Sequence, residues 1–331
     1  MRKFFWSNNA HLQAEVENYF NMLEDYNQNE FNGEISILLL GSMSRGEGSW
    51  KTIDGVDTIV SDIEFITQVP VGFDKHDRLY EVFDIAKSKC FPDQNSSLFH
   101  IDNGIGGGGY DMSGMERKLI TFDANVFATT VVGKDYKHTM PHVTYSNINM
   151  QDIWEVLIHR IFSVLYWGRP LKEAGKIDEY RYNIAKNSLD LMTVLLVNHK
   201  QLVSGFANRL EAIKKLDIDE NVKNYFEYCL SIKLSIPCEH SFTIEEMEKF
   251  FVAILEQQDK MFGLHVSNYV VNLKFIARRT MGKAKRALRL KHLPPSQKRH
   301  LRNMLKMFKN GDMITDKVIK DNIVLNGYPE L

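Results

Sequence analysis

The sequence predicts an α+β chain, with a small mixed β-sheet and flanking helices in its first part and an α-helical bundle in its second. Three observations carry that reading. The strand-like stretches, such as ISILLL and TIVSDIEFITQV, fall early in the chain. Beyond residue 146 the apolar residues recur at helical spacing instead. A polar stretch over 138–149 stands between the two regimes, and strands and helices that do not interleave indicate segregated domains rather than a βαβ repeat. Domains are therefore expected over 1–145 and 146–331.

Leu12, Val16, Phe20 and Leu23 share one face of a helix over 9–27. Glu34–Leu40 reads as a buried strand that ends at Gly41, and Thr58–Val69 as a second strand. Between them, SRGEGSW reads as a short helical turn and then an irregular loop. Asp77–Lys89 is a helix with Leu79, Val82, Phe83 and Ala86 inward. Ser97–Ile101 is expected as a strand, Gly104–Gly109 as a turn or mobile loop, and Arg117–Val126 as a further strand. Helices are expected over Gln151–Trp167, Ile177–His199, Asn208–Leu216, Glu220–Ile232 and Ile244–Gln258, with a long helical stretch after His265.

A chain of 331 residues favours two domains over one. Hydrophobic residues at 44% and charged residues at 25% are ordinary for a globular protein. Cys90, Cys229 and Cys238 are too scattered for a metal-ligand spacing and suit a reducing compartment. MRKFFWSNNAHLQAE turns polar too soon for a signal peptide, and no apolar run approaches the roughly 18 residues that span a bilayer. A cytoplasmic protein is expected. No Walker-type loop, G-x-S-x-G elbow or H-E-x-x-H pair is present.

The chemistry concentrates in residues 41–65, GSMSRGEGSWKTIDGVDTIVSDIEF. In a strand, alternate side chains share a face, so Asp62 and Glu64 project together while Ile63 and Phe65 pack behind them. Two carboxylates that close repel unless a cation lies between them. Mg²⁺ prefers such oxygen ligands and commonly binds one or two carboxylates together with substrate phosphates. Gly41-Ser42 stands where a strand turns into a helix, a place where backbone can approach phosphate closely. Arg45 lies one turn on, in reach of the same anion, and Glu47 is placed to hold Arg45 by a salt bridge. The pattern points to a metal clamp on a nucleoside triphosphate.

The ordered set Gly41-Ser42, Arg45-Gly46-Glu47 and Ser61-Asp62-Ile63-Glu64 resembles the signature of the DNA polymerase beta-type nucleotidyltransferase superfamily, closest in style to its small bacterial and antibiotic-modifying members. The resemblance implies a catalytic domain that binds ATP or another triphosphate with Mg²⁺ or Mn²⁺. It implies transfer of a nucleoside monophosphate to an acceptor hydroxyl or phosphate, with release of pyrophosphate. In that family the Gly-Ser turn holds the triphosphate, the paired acids bind two divalent ions, and a third acid on a later strand completes the site. Asp123, isolated in the apolar run KLITFDANV, is the preferred third acid, with Asp102 and Asp111 as rivals. Asp62, Glu64 and Asp123 are thus the expected catalytic and metal-binding acids.

The stretch YRYNIAKNSLDLMTVLLVNHKQLVSGFANRLEAI resembles the recurring helix pair of the family's helical partner domain, which puts Arg181 and Lys186 near the cleft. Gly41, Ser42, Arg45 and Lys186 are then the expected nucleotide contacts, and Arg209 a structural or acceptor-side residue. Two departures from the family pattern stand out. The loop from Ser42 to Asp62 is longer than in compact members by roughly eight residues, and the second acid is Glu64 rather than Asp. The expected acceptor is a small molecule such as a sugar, a sugar phosphate or an aminoglycoside-like compound. The alternatives are a protein- or RNA-modifying enzyme, an oligonucleotide synthase, or a non-catalytic nucleotide-binding scaffold.

Residues 261–311 contain no Asp or Glu and many Lys and Arg. Such a segment suits an anionic polymer or a membrane surface, where each basic residue contributes about 1 kcal/mol; docking against acidic parts of its own chain is the equal alternative.

Overall fold

The computed structural model describes residues 2–53, 55–94, 99–106 and 109–258. The basic segment 261–311 and the helical stretch expected after His265 lie outside these residues. The chain divides into two compact units: Met1–Asn149 with Leu202–Glu211 and Leu230–Cys238, and Met150–Gln201 with Ala212–Cys229 and Glu239–Leu331.

The first unit opens with α1 (Ala10–Glu30). Its N-cap Asn9 accepts the Leu12 N–H at 3.1 Å, which satisfies one of the helix's open donors. Leu12, Val16, Phe20 and Leu23 are buried as the periodicity requires. Asn27, also buried, donates to Ile35 O and accepts Ile35 N–H, so its amide pins the turn that leads into β1 (Ser36–Leu39). The chain continues through α2 (Gly41–Ser44), β2 (Trp50–Ile53), β3 (Val56–Ile59), β4 (Ile63–Gln68), α3 (His76–Cys90), β5 (Ile101–Gly106), α4 (Leu119–Phe127) and β6 (Thr129–Val132).

Four strands form one mixed sheet in the order β5-β4-β1-β6. β1 runs antiparallel to both β4 and β6, whereas β4 and β5 are parallel. Alternation divides the faces. Ile37, Leu39, Ile63 and Phe65 enter the larger core with Tyr19, Phe20 and Phe83 from α1 and α3. Leu38, Leu40 and Ile66 pack on the other face with Ala124 and Ala128, Met112 and Met140. Buried on both faces, β1 is apolar nearly throughout. Phe65 meets Tyr19, Phe20 and Phe83 at ring separations of 5.5–6.5 Å, so truncating it to Ala is expected to cost about 3–5 kcal/mol.

The structure departs from the sequence reading in four places. The expected strand Thr58–Val69 is two strands, because residues 56–59 pair with β2 as a separate hairpin before the chain enters the sheet. That hairpin occupies part of what reads as an irregular loop. The expected strand Arg117–Val126 is α4, a short apolar run of the kind that fits either period. Strand β5 begins at Ile101 and runs into the glycines, which were expected as a turn; pairing with β4 from Ile63↔Ile101 to Gln68↔Gly106 outweighs their poor strand propensity. Of the strand expected over Ser97–Ile101, residues 97 and 98 lie outside the described ones.

The second unit contains α5 (Met150–Ser163), a π-helical turn over Val164–Gly168, α6 (Arg169–Glu173), α7 (Ile177–Asn198) and a helix over 244–258, α10. The residues of α8 (Phe206–Lys214) and α9 (Glu220–Leu234) are divided between the units. From Tyr180 to Val197 almost every residue of α7 is buried, the pattern of a core helix rather than an amphipathic one. Its polar members are partnered: Ser188 shares a 2.7 Å hydrogen bond with Tyr225, and the Tyr180 hydroxyl donates to Glu248 at 2.6 Å. The fold is α+β. No helix among the described residues is long and apolar enough to cross a membrane.

Candidate active site

The site begins where β1 ends. Leu40 N–H donates to Glu64 O at 2.7 Å, which holds the strand end against β4. Gly41 then turns the chain with φ +66°, and a Cβ there would overlap Glu64 Oε2. Glycine is required twice over, by the left-handed backbone and by the carboxylate pressed against it. The following α2 is a single turn, closed by Ser44 Oγ donating to Gly41 O at 2.9 Å and by Glu47 N–H donating to Ser42 O at 2.8 Å. With one turn the helix dipole is small, so the bend offers an anion close backbone approach more than a macrodipole.

Asp62, immediately before β4, and Glu64 within it stand two residues apart and bring their carboxylates together. Parallel pairing sets Asp102 of β5 directly beside Glu64. One carboxylate oxygen from each of Asp62, Glu64 and Asp102 lies within 4.8 Å of the others. Asp62 and Glu64 are half-buried and Asp102 is exposed, so the cluster opens to solvent. Three carboxylates at this spacing repel one another, and an ion between them removes the repulsion. An all-oxygen donor set without His or Cys fits Mg²⁺ or Mn²⁺ better than Zn²⁺.

Asp123 is not part of this cluster. It sits on α4 and accepts hydrogen bonds from Arg45 at 3.2 Å and from Arg209 at 2.6 Å. Arg45 also donates to Glu47 at 2.7 Å, and Glu47 in turn accepts the Ala207 N–H near the start of α8 at 3.1 Å. The guanidinium groups of Arg45 and Arg209 both lie over the ring of Phe206, at 5.0 and 5.4 Å. Burial pulls the Arg45 pKa down, but Asp123, Glu47 and Glu64 outweigh it and hold the group well charged. The apolar run around Asp123 thus compensates its charge with two arginines rather than an ion. The third acid beside Asp62 and Glu64 is Asp102, one of the two rivals. The other, Asp111, caps a loop by accepting the N–H and hydroxyl of Ser113, bonds that lower its pKa.

Ser42 stands at the bend, half-buried. Arg45 is tied to Glu47 and Asp123 and adds positive charge near Glu64. Lys186 belongs to α7 in the second unit, where its charge acts on His159. Arg181 pairs with Asp178 at 2.8 Å.

One residue absent from the sequence reading is Lys233. Its side chain is almost wholly buried, with Nζ 3.3 Å from the Ser61 hydroxyl and 3.4 Å from that of Ser49. Ser61 immediately precedes Asp62, and its Oγ also accepts the Ser49 N–H at 2.8 Å. The signal was available in the pattern: Phe226, Leu230 and Lys233 follow one helical face, so the lysine stands on the buried stripe of α9.

The fold and site together define an α+β protein with a solvent-facing carboxylate cluster suited to a hard divalent cation, set against a glycine bend. No family model matches the chain, and no curated protein matches it. Among solved structures it is similar to the crystal structure of spectinomycin adenyltransferase AAD(9) from Enterococcus faecialis with ATP and spectinomycin. Identity there is 11%, over 72% of this chain and 98% of that one, with a TM-score of 0.46. A likeness that slight assigns no substrate to this chain.

Proposed function

We propose that this protein is a divalent-metal-dependent nucleotidyltransferase that moves a nucleoside monophosphate from a triphosphate, ATP being the first candidate, to a hydroxyl of a small acceptor. One observation carries the reading: Asp62, Glu64 and Asp102 converge within 4.8 Å, and Glu64 is the residue that leaves no room for a side chain at Gly41. Carboxylate clamp and phosphate-accommodating bend are therefore one site.

Asp62, Glu64 and Asp102 would hold Mg²⁺ or Mn²⁺, which when bound supplies charge stabilisation at the attacking and leaving oxygens. The backbone at Gly41-Ser42, with the Ser42 hydroxyl, takes the phosphate chain. An acceptor oxygen attacks the α-phosphorus in line, a new P–O bond forms, the bond to the β,γ-diphosphate breaks, and pyrophosphate leaves with the electron pair. Asp102, the exposed member of the cluster, is the carboxylate best placed to accept the acceptor's proton. Arg45 supports Glu64 electrostatically. Lys186 remains the candidate for a further cationic contact to the phosphates. Rate enhancement then comes chiefly from positioning and charge stabilisation.

Pyrophosphate release, assayed with each triphosphate and Mg²⁺ or Mn²⁺, tests the reading. Asp62→Asn, Glu64→Gln and Asp102→Asn should each abolish release. In metal-free buffer Asp62→Asn and Asp102→Asn should melt at or above the wild-type temperature, because each removes one repelling charge, whereas Glu64→Gln also loses an attraction for the buried Arg45; in all three the upward melting shift caused by Mn²⁺ should vanish. Variants that melt lower without metal and still respond to Mn²⁺ would show the carboxylates to be structural.

A further inference from the structure

We infer that Gly104 determines acceptor choice: its bare backbone is the floor on which a hydroxylated ring compound lies while one of its hydroxyls faces the carboxylate cluster. This rests on the nucleotidyl-transfer reading. Gly104 is two residues past Asp102 on β5, hence on the same face of the sheet, one pleat repeat or about 6.6 Å further along the strand. It is exposed and pairs in register with Ile66.

Glycine inside a strand weakens it and calls for a reason. Two usual reasons fail here. Its φ lies outside the left-handed region, unlike that of Gly41, and among the described residues a Cβ at this position would meet nothing nearer than Phe65 O at 3.9 Å. Neither backbone conformation nor packing within the first unit demands the missing side chain. What remains is the close approach of something outside the described residues, and a bound acceptor is the occupant inferred here.

In-line geometry identifies it. Pyrophosphate departs toward Gly41-Ser42, which follows β1, and β1 and β5 flank β4 on opposite sides. Attack from the opposite side brings the acceptor over β5, past Asp102. β5 is also the sheet's edge, so one row of its N–H and C=O groups has no strand partner among the described residues. A bare peptide surface rimmed by backbone donors, backbone acceptors and carboxylates suits the C–H face of a pyranose or cyclitol, whose rim hydroxyls reach those groups.

Gly104→Ala and Gly104→Val test this. Transfer would be measured with ATP and Mn²⁺ against a panel of hexopyranoses, hexose phosphates, cyclitols and aminocyclitols, with ATP binding followed by calorimetry. An added methyl on such a floor should lower kcat/KM for the acceptor by about 10- to 200-fold, and valine should lower it further. The KM for ATP should stay within about twofold and the melting temperature should not fall, since valine suits a strand better than glycine. Unchanged acceptor kcat/KM would overturn the inference, as would an equal rise in the KM of ATP, or a fall in melting temperature that tracks the loss. So would a wild-type enzyme stimulated by a polynucleotide or a protein and by no ring compound. Failure of the wild type to bind ATP with Mn²⁺ would instead remove the nucleotidyl-transfer reading and the acceptor assignment with it.

Discussion

Replacing Asp123 by Asn decides between two roles for this acid, metal ligand or anchor of the arginines. The change keeps the side chain's volume and removes its charge. Arg45 and Arg209, whose side chains are 6% and 3% exposed, would lose a shared carboxylate that is itself 12% exposed. Removing one partner of a buried ion pair costs about 3–5 kcal/mol. The amide oxygen of the substituted side chain would still accept one hydrogen bond, and Glu47 still faces Arg45, so the lower end, about 3 kcal/mol, is expected here. For a chain of 331 residues, whose unfolding entropy is about 0.7 kcal/mol/K, that is a fall in melting temperature of roughly 4 °C. The assay is thermal unfolding in metal-free buffer and again with Mn²⁺, joined to a double-mutant cycle with Arg209→Met. A coupling of about 1–3 kcal/mol between the two sites is expected, with the Mn²⁺ response retained. An Asp123→Asn protein that melts like the wild type without metal, and that no longer responds to Mn²⁺, would refute the anchoring role and return Asp123 to the metal site.

Gly41→Ala should impair both stability and turnover, because it forces a side chain into a left-handed backbone and into the Glu64 carboxylate; a melt and a pyrophosphate assay that both match wild type would contradict the geometry. His159 is held neutral in the folded protein, its pKa pushed down to about 3 from 6.5 by burial first and then by Arg160 and Lys186. The unfolded chain therefore takes up a proton between pH 6.5 and about 3 that the folded one refuses, so stability falls as pH drops through that window and is fully present above it. His159→Phe should flatten the melting-temperature loss between neutral pH and pH 4; an unchanged slope would exclude His159 as its source. Lys186→Ala should raise the KM for ATP with a smaller effect on kcat, and an unaltered KM would remove Lys186 from the nucleotide contacts.

Asp62, Glu64 and the bend at Gly41 were legible because their geometry is local. A period of two sets the carboxylates on one face, and a glycine after a buried strand marks the turn. Asp102 was not legible with the same force. Its place beside Glu64 comes from parallel pairing of two strands separated by α3, and no residue in HIDNG states which strand it will join. Asp123 misled for a related reason. Nine residues of KLITFDANV satisfy either period, and the compensation of its charge comes from Arg45 and Arg209, which lie 78 and 86 residues away. Lys233 reaches Ser49 and Ser61 across 184 and 172 residues.

By itself the sequence determined the α+β class, the described helices of the second unit, the shared face of Asp62 and Glu64, and the glycine turn. Each follows from spacing along the chain, where side-chain direction repeats with the backbone period. Only the tertiary structure decided the third carboxylate, the arginine partners of Asp123, the strand made from glycines and the inclusion of 202–211 and 230–238 in the first unit. Those depend on which distant segments share a hydrogen-bond ladder or a buried charge, and periodicity within one segment carries no information about its neighbour in space.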